Sequence, residues 1–368
     1  MKVKSITLSK FRRIDNMQLS LHPKLNIIIG ANAQGKTSIL EALHTLALTK
    51  SHKTSVDADM IQTGHESAQI SAVCDFDGRE ASFVVSLSKT GKKVKYNRIE
   101  MRRLSDYIGR LNVVMFAPED LELIKGGPRE RRRFMDLAIG QVDKPYVHHL
   151  SRYRKLLKER NEILKSMQKS NRFDVISLDV VTEQLIHYAR KIIERRKQFI
   201  GNLSERLPQK LALLAVDDPL LSVRYAASIE DDIVTAFKQK RPFDIRRATT
   251  TIGPHRDDCV FLFETKPLVN TASQGQIRTV VLAVRLALID MIRDVVHQTP
   301  IILLDDVFSE LDQARIKEII AQLYGEAQVL ITATDTRGIE GKTLQEHHLI
   351  SVDDGQITGV DTYGRETL

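Results

Sequence analysis

An α/β fold interrupted by a helical insertion is what this 368-residue sequence predicts, and three observations carry the prediction. Apolar runs of strand length alternate with helix-period segments toward both ends of the chain. The middle, from about residue 129 to 240, is patterned as helix, with no strong strand signal. A loop rich in glycine and alanine, Gly30-Ala31-Asn32-Ala33-Gln34-Gly35-Lys36-Thr37, joins one of the strands to the helix after it.

The elements follow in order. Met1 to Leu8 alternates in the manner of an edge strand, and Leu25-Asn26-Ile27-Ile28-Ile29 reads as a short buried strand running into the loop. Thr37 to Leu43 opens a helix. Residues 70–98 alternate in short segments with turn signals at Asp77-Gly78 and Thr90-Gly91, which predicts antiparallel strands. Past Pro118, Leu156, Leu157, Ile163, Leu164 and Met167 form one apolar stripe, and Leu185, Tyr188, Ile192, Ile193 and Phe199 another. With a polar turn near 168–174, they predict an antiparallel helical hairpin. Thr249 to Pro254 leads into a turn, Val280 to Ile292 is an apolar helix, and Ile301 to Leu304 and Val329 to Thr332 are buried strands. The expected organisation is one head made of residues 1–120 and 246–368, with 121–245 inserted as an arm.

Charge is uneven along the chain. Residues 121–210 hold 21 Lys/Arg against 11 Asp/Glu, a net of +10, whereas the whole chain is +8. Such a segment suits either a polyanion such as DNA or a solvated helix face. No apolar run reaches membrane-spanning length, and the N-terminus lacks the apolar block of a signal peptide. Two distant cysteines, Cys74 and Cys259, suit neither a disulfide framework nor a metal quartet. The expectation is a cytoplasmic protein without a membrane partner.

The loop at 30–37 fits G-x-x-x-x-G-K-[ST], in the strand-to-helix setting that this phosphate-binding motif requires. Glycines let the backbone curl so that its N–H groups converge on phosphate oxygens at a helix N-terminus. Lys36 then reaches the β/γ-phosphates, and the Thr37 hydroxyl ligates Mg²⁺. The site so defined is Gly30, Ala31, Asn32, Ala33, Gln34, Gly35, Lys36, Thr37 and Ser38, with ATP and Mg²⁺ as cofactors. Far downstream, Ile301-Ile302-Leu303-Leu304-Asp305-Asp306 is an apolar strand ending in two acids. Asp305 would anchor the metal and Asp306 would polarise the attacking water; alternatively, both acids cap a helix near Ser309.

These residues resemble the ABC-type ATPase heads of the SMC and RecF kind. Leu8-Ser9-Lys10-Phe11-Arg12-Arg13 followed by Asn26 to Gly30 resembles the family's opening, and Asp305-Asp306 with Ser309-Glu310-Leu311-Asp312 its D-loop region. Thr271-Ala272-Ser273-Gln274-Gly275-Gln276 is similar to the signature motif, with Gln274 where glycine is commoner; read alone it is a helix cap. Pro118 to Leu121 with Arg129 to Asp136, Thr251-Ile252-Gly253-Pro254-His255-Arg256-Asp257-Asp258, and Leu303 to Asp312 narrow the resemblance to the RecF branch, in its order and over almost the whole chain. The resemblance implies a P-loop NTPase head with a mixed sheet and an antiparallel strand layer, interrupted by the helical arm. It implies that Ser273, Gly275 and Gln276 meet the γ-phosphate held by a second copy, giving an ATP-dependent homodimer. It also implies recombinational gap repair and replication restart on double-stranded and gapped DNA, with RecR and RecO as partners, RecA loading as the outcome and a link to SOS induction.

Departures point to a slow switch. Ala333-Thr334-Asp335 stands where a switch histidine is expected, Asp306 replaces the usual glutamate, and only Glu119 or Asp120 offers itself for the Q-loop. Lys36 and Asp306 are the residues for catalysis, and Thr37 and Asp305 for the metal. On the arm, Arg152, Arg154, Lys155, Lys158, Arg195, Arg196 and Lys197 are the preferred DNA contacts as a group. A second basic group, Lys92, Lys93, Lys95, Arg98, Arg102 and Arg103, suits DNA phosphates or a protective edge equally. Arg131, Arg132 and Arg133 would pair with phosphates or with the acids around 119–122, and His255-Arg256 reads either as a loop coupling nucleotide state to the rest of the molecule or as a turn held by local hydrogen bonds. A transporter subunit would predict the missing histidine, and a chromosome-structuring protein a far longer coiled coil than 129–240 supplies. A DNA-binding module with a vestigial nucleotide site is the most serious rival to an ATPase.

Overall fold

The computed structural model describes residues 1–170, 175–214, 221–230, 232–306, 325–335 and 346–364. By their contacts they form two compact units, Met1–Asp120 with Arg285–Leu368, and Leu121–Val284. In chain order the elements are β1 (Lys2–Phe11), β2 (Ile14–Ser20), β3 (Leu25–Ile29), α1 (Lys36–Leu48), β4 (Ser67–Phe76), β5 (Arg79–Ser88), β6 (Gly91–Tyr96), β7 (Ile99–Glu100) and β8 (Val113–Phe116). Next come α2 (Glu122–Lys125), α3 (Pro128–Gly140), α4 (Lys144–Ser170), α5 (Val175–Leu213), β9 (Leu221–Ala226), α6 (Ile233–Arg247), β10 (Asp258–Phe263), β11 (Lys266–Pro267), α7 (Leu268–Thr271) and α8 (Gln274–Val296). The chain closes with β12 (Ile301–Leu304), β13 (Val329–Ala333), β14 (His347–Asp353) and β15 (Gln356–Tyr363).

The first unit has a mixed sheet ordered β15-β14-β3-β13-β12-β8 and an antiparallel sheet ordered β2-β1-β4-β5-β6-β7, the two layers that the sequence predicts. Strands β14, β3, β13, β12 and β8 run parallel, and only β15 is antiparallel. Their apolar runs follow from burial on both faces: β8 and β12 are buried throughout. Helix α1 touches β1, β4 and β5 of one sheet and β8 and β13 of the other, so nearly its whole circumference is buried. One expectation fails here. β1 is not an edge strand but lies between β2 and β4. Its alternation comes from a sheet covered on one face only, which an interior antiparallel strand shows equally well.

In the second unit α4 and α5 form the predicted antiparallel hairpin. Asp143 meets Arg195, Tyr146 meets Arg196 and Arg160 meets Thr182, so the pairing runs in opposite senses. Leu164, Met167 and Leu178 close its far end. The helical stretch is interrupted, against expectation, by β9, which pairs with β10. That pairing, with the Arg131–Asp258 ion pair, ties residues after 246 to the middle of the chain, and the contact boundary falls inside α8.

The interior of this unit is ionic. Arg160 bonds Asp244 (2.8 Å) and Thr250 (2.7 Å), and Arg196 bonds Asp136 (2.8 Å), Tyr146 (2.9 Å) and the carbonyl of Pro254 (2.6 Å). Buried charge is tolerated only when paired and hydrogen-bonded in this way. The stretch from Gly253 to Asp258 threads through the network. Gly253 has φ 120°, and a Cβ there would stand 2.6 Å from the Tyr153 hydroxyl, so glycine is required. His255 Nε2 lies 3.0 Å from the Thr250 carbonyl and must donate to it, which leaves Nδ1 to accept from Tyr153 Oη at 2.6 Å. Burial holds this imidazole neutral, lowering its pKa from the usual 6.5 to about 4.

A pH dependence results. Between about pH 6.5 and 4 the unfolded chain binds a proton at residue 255 that the folded chain refuses, so stability falls as pH falls through that window. Thermal unfolding of His255→Gln should therefore approach that of the wild type as pH drops from 7 to 5. A gap in midpoint that stays constant with pH would count against the neutral-histidine assignment.

Candidate functional site

Strand β3 delivers the chain to the glycine loop at the middle of the parallel sheet, between β14 and β13. A Cβ on Gly30 would lie 2.2 Å from the Val352 carbonyl oxygen, so no larger residue fits at the strand exit. Ala33 (φ 65°) and Gly35 (φ 102°) also take positive φ, which curls the loop before Gly35 caps α1 without a side-chain bond. Among the described residues no acceptor engages the backbone N–H groups of residues 31–37. The loop is braced from outside. Arg13 donates to the Ala33 carbonyl (2.7 Å), and in the β14–β15 turn Asp354 N donates to Gln34 Oε1 (2.6 Å) and Gly355 N to Gln34 O (2.9 Å). Lys36 folds inward, its Nζ donating to the carbonyls of Gly30 (2.6 Å) and Ala31 (2.7 Å). Burial lowers its pKa, while the charges of Asp306 and Asp305 act in the opposite direction.

Asp305 meets this loop from β12. Thr37 Oγ1 donates to Asp305 Oδ1 at 2.8 Å, and Thr332 Oγ1 donates to the same oxygen at 2.8 Å while accepting from Asp306 N at 2.9 Å. Lys53 Nζ stands 4.0 Å from Asp305 Oδ2 and 3.8 Å from Glu119. Burial pushes the Asp305 pKa up; the two threonine hydroxyls and the Lys53 charge resist the shift. Asp306, in contrast, is exposed, with φ 50°. A hydroxyl and a carboxylate oxygen 2.8 Å apart are hard donors, so Thr37 and Asp305 fit a magnesium ion. Asp120 forms a two-pronged ion pair with Arg285 (3.0 and 2.5 Å) and serves the fold, while Glu119 shares Lys53 with Asp305. Ala333 ends β13, followed by Thr334 and Asp335. Ser309 to Asp312 lie outside the described residues.

Three residues at this site escaped the sequence reading. Thr332 carried a signal, being the single polar residue in a buried strand. Arg13 was noticed only as part of a motif. Lys53, five residues past the end of α1, carried none.

In the second unit, Ser273 and Gln276 cap α8 reciprocally: Ser273 N donates to Gln276 Oε1 (2.8 Å) and Gln276 N to Ser273 Oγ (3.2 Å). Ser273, Gln274, Gly275 and Gln276 are all exposed, and a Cβ on Gly275 would meet nothing nearer than 4.0 Å. The segment is thus a helix cap, and its outward face is accessible.

The arm residues sort unevenly. Arg196 is corrected: at 2% exposure, bonded to Asp136, Tyr146 and Pro254, it holds the interior together and offers almost no surface to a ligand. Arg154 pairs with Asp136, Lys158 with Glu162 and Arg195 with Asp143, and all three keep part of their surface in solvent. Arg152, Lys155 and Lys197 are exposed. Two of the three consecutive arginines also turn inward, toward 257–258: Arg131 grips Asp258 (2.7 and 2.8 Å) and Arg132 donates to the Asp257 carbonyl (2.7 Å). In the first unit, Lys92 pairs with Asp57 and Lys93 with Glu100, and Lys95, Arg98, Arg102 and Arg103 are exposed.

Parallel strands, a phosphate-type loop and an acid-tipped strand define the class of ATPase heads. Residues 2–356 match the RecF/RecN/SMC N-terminal domain family. The chain is 40% identical over 367 residues to the DNA replication and repair protein RecF of Macrococcus caseolyticus, covering 97% of this chain and 100% of that one. It is 41% identical over 364 residues to RecF of Geobacillus thermodenitrificans, covering 96% and 98%. A solved structure of the recombination mediator protein RecF with ATP, in the RecFOR pathway, superimposes with a TM-score of 0.89 at 28% identity, over 99% of this chain and 98% of that one. The Smc head domain of Pyrococcus furiosus shares the fold at a TM-score of 0.55 and 16% identity, over 99% and 96%. The chain belongs to the RecF family. Among the described residues no helix is long and apolar enough to cross a membrane.

Thr332 offers a direct check on the geometry. Thr332→Val keeps the shape but removes the donor to Asp305 and the acceptor for Asp306 N, which should cost roughly 1–3 kcal/mol of stability. Chemical denaturation should show that loss, and Thr334→Val, exposed just past the strand, should stay within about 0.5 kcal/mol of wild type. Equal effects from the two would contradict the assigned hydrogen bonds.

Proposed function

We propose that the protein is an ATP-dependent DNA-binding switch of recombinational gap repair and replication restart. The observation that carries this reading is the convergence of Lys36, Thr37 and Asp305 at one end of the parallel sheet, with Thr37 bonded to Asp305 at 2.8 Å. The curled backbone of 30–37 receives the phosphates of ATP, with the α1 N-terminus and Ser38 behind it. Lys36 exchanges its carbonyl contacts for β/γ-phosphate oxygens, a stronger, charge-assisted pairing. Thr37 and Asp305 hold Mg²⁺, which when bound neutralises charge on the phosphates. Asp306, exposed beside the buried Asp305, orients the attacking water, and the missing switch histidine fits slow turnover. The weak ATPase then acts as a timer.

The exposed cap at Ser273, Gly275 and Gln276 completes the site of a second copy by meeting its γ-phosphate. ATP thereby joins two chains into a homodimer that holds double-stranded DNA beside a gap, and hydrolysis releases it. The family relationship supports action with RecR and RecO toward RecA loading, a contribution to SOS induction, and a cytoplasmic location. Phosphate contacts come from exposed cations such as Arg152, Lys155 and Lys197.

Dimerisation and retention of duplex DNA with ATP, ADP or no nucleotide test the switch. Lys36→Met should lose ATP binding and both responses. Ser273→Arg should keep ATP binding, lose about 1 kcal/mol of helix capping, and fail to dimerise. DNA retention that ignores nucleotide in wild type and both variants would sink the clamp.

A further inference from the structure

We propose that the exposed face of α6 binds a single strand of nucleic acid, with Phe243 as a base-stacking platform and Lys240, Arg246 and Arg247 as its phosphate contacts. The proposal rests on the DNA-binding reading above and adds a site to it. Phe243 is 38% exposed, and it is the one large apolar side chain that α6 leaves open among the described residues. Three cations surround its ring: Arg247 at 5.4 Å from the centroid, and Lys240 and Arg246 at 5.9 Å each.

Helical spacing makes this a stripe. Positions 240, 243, 246 and 247 are three and four residues apart and share a face about 10 Å long. Among the described residues none of these cations, nor the exposed Lys238, pairs with a carboxylate, whereas Arg154, Lys158 and Arg195 on the hairpin do. The only acid of α6, Asp244, is fully buried and bonded to Arg160 and Thr251. Arg241 turns away to Asp179. Among the described residues the open face is therefore cationic without a counter-charge.

Favourable placement near the negative end of the helix dipole accounts for Arg246 and Arg247. It does not account for Lys240, or for a phenyl ring left in water between cations. A ring flanked by ammonium and guanidinium groups matches a nucleotide, which brings a flat base and a phosphate together. Duplex DNA has no unstacked base to offer it. An acidic peptide would need a groove for its apolar side chains, and the face has a single exposed ring.

The test is fluorescence anisotropy of the full-length protein with a labelled oligo(dT) of about fifteen nucleotides and, separately, a blunt duplex of similar length. Phe243→Ala should weaken oligo(dT) binding about tenfold and leave the duplex within about twofold. Combined Lys240→Gln, Arg246→Gln and Arg247→Gln should weaken oligo(dT) binding and reduce its salt slope by about 2. If wild type fails to bind the duplex while oligo(dT) affinity still follows Phe243, the clamp falls and this site stands. Oligo(dT) affinity unchanged in both variants overturns the proposal. So does a poly-glutamate peptide whose binding depends on Phe243 while that of oligo(dT) does not.

Discussion

The carboxylate of Asp305 is the group on which the first unit converges. It is nearly inaccessible and carries charge, so it needs donors, and it takes them from two directions: Thr37 on the glycine-loop helix and Thr332 on the neighbouring strand. These residues are brought together because β3, β13, β12 and β8 run parallel in close register. Parallel pairing puts the carboxyl ends of the strands at one edge, where loops collect and where ligands bind in open α/β sheets. The glycine loop, Asp305-Asp306, Thr332 and the segment after β8 with Glu119 all leave from that edge. Distances along the chain of hundreds of residues thereby become distances of a few ångströms.

Much of this was legible in the sequence, for physical reasons. A strand buried on both faces must be apolar throughout, which made Leu25 to Ile29, Ile301 to Leu304 and Val329 to Thr332 visible. Gly30 was visible because nothing larger fits beside Val352. What stayed hidden depended on partners. Lys53 is an ordinary lysine until folding sets it 4.0 Å from Asp305. The position of β1 inside its sheet was hidden because alternation reports a covered face, not a free edge. β9 was hidden because six residues, Leu221 to Ala226, gain their strand character from pairing with β10.

The arginines carry the sharpest lesson. A net of +10 over residues 121–210 suggested a basic exterior, yet several of those charges work inside. Arg131, Arg160 and Arg196 each satisfy a carboxylate, and Arg196 joins α5 to the Gly253–Asp258 turn through the Pro254 carbonyl. Removing one partner of such a pair strands the other, at a cost of about 3–5 kcal/mol. Counting charge along a chain cannot separate a structural arginine from an available one. Exposure and pairing do, and they move attention from α5 to α6.

The role proposed for Asp305 is to couple metal to nucleotide. The most direct measurement is the calorimetric affinity for ATP with and without Mg²⁺, in wild type and in Asp305→Asn. Wild type should bind ATP more tightly when Mg²⁺ is present, and Asp305→Asn should lose most of that gain while keeping its metal-free affinity. An equal gain from Mg²⁺ in both proteins would contradict the account.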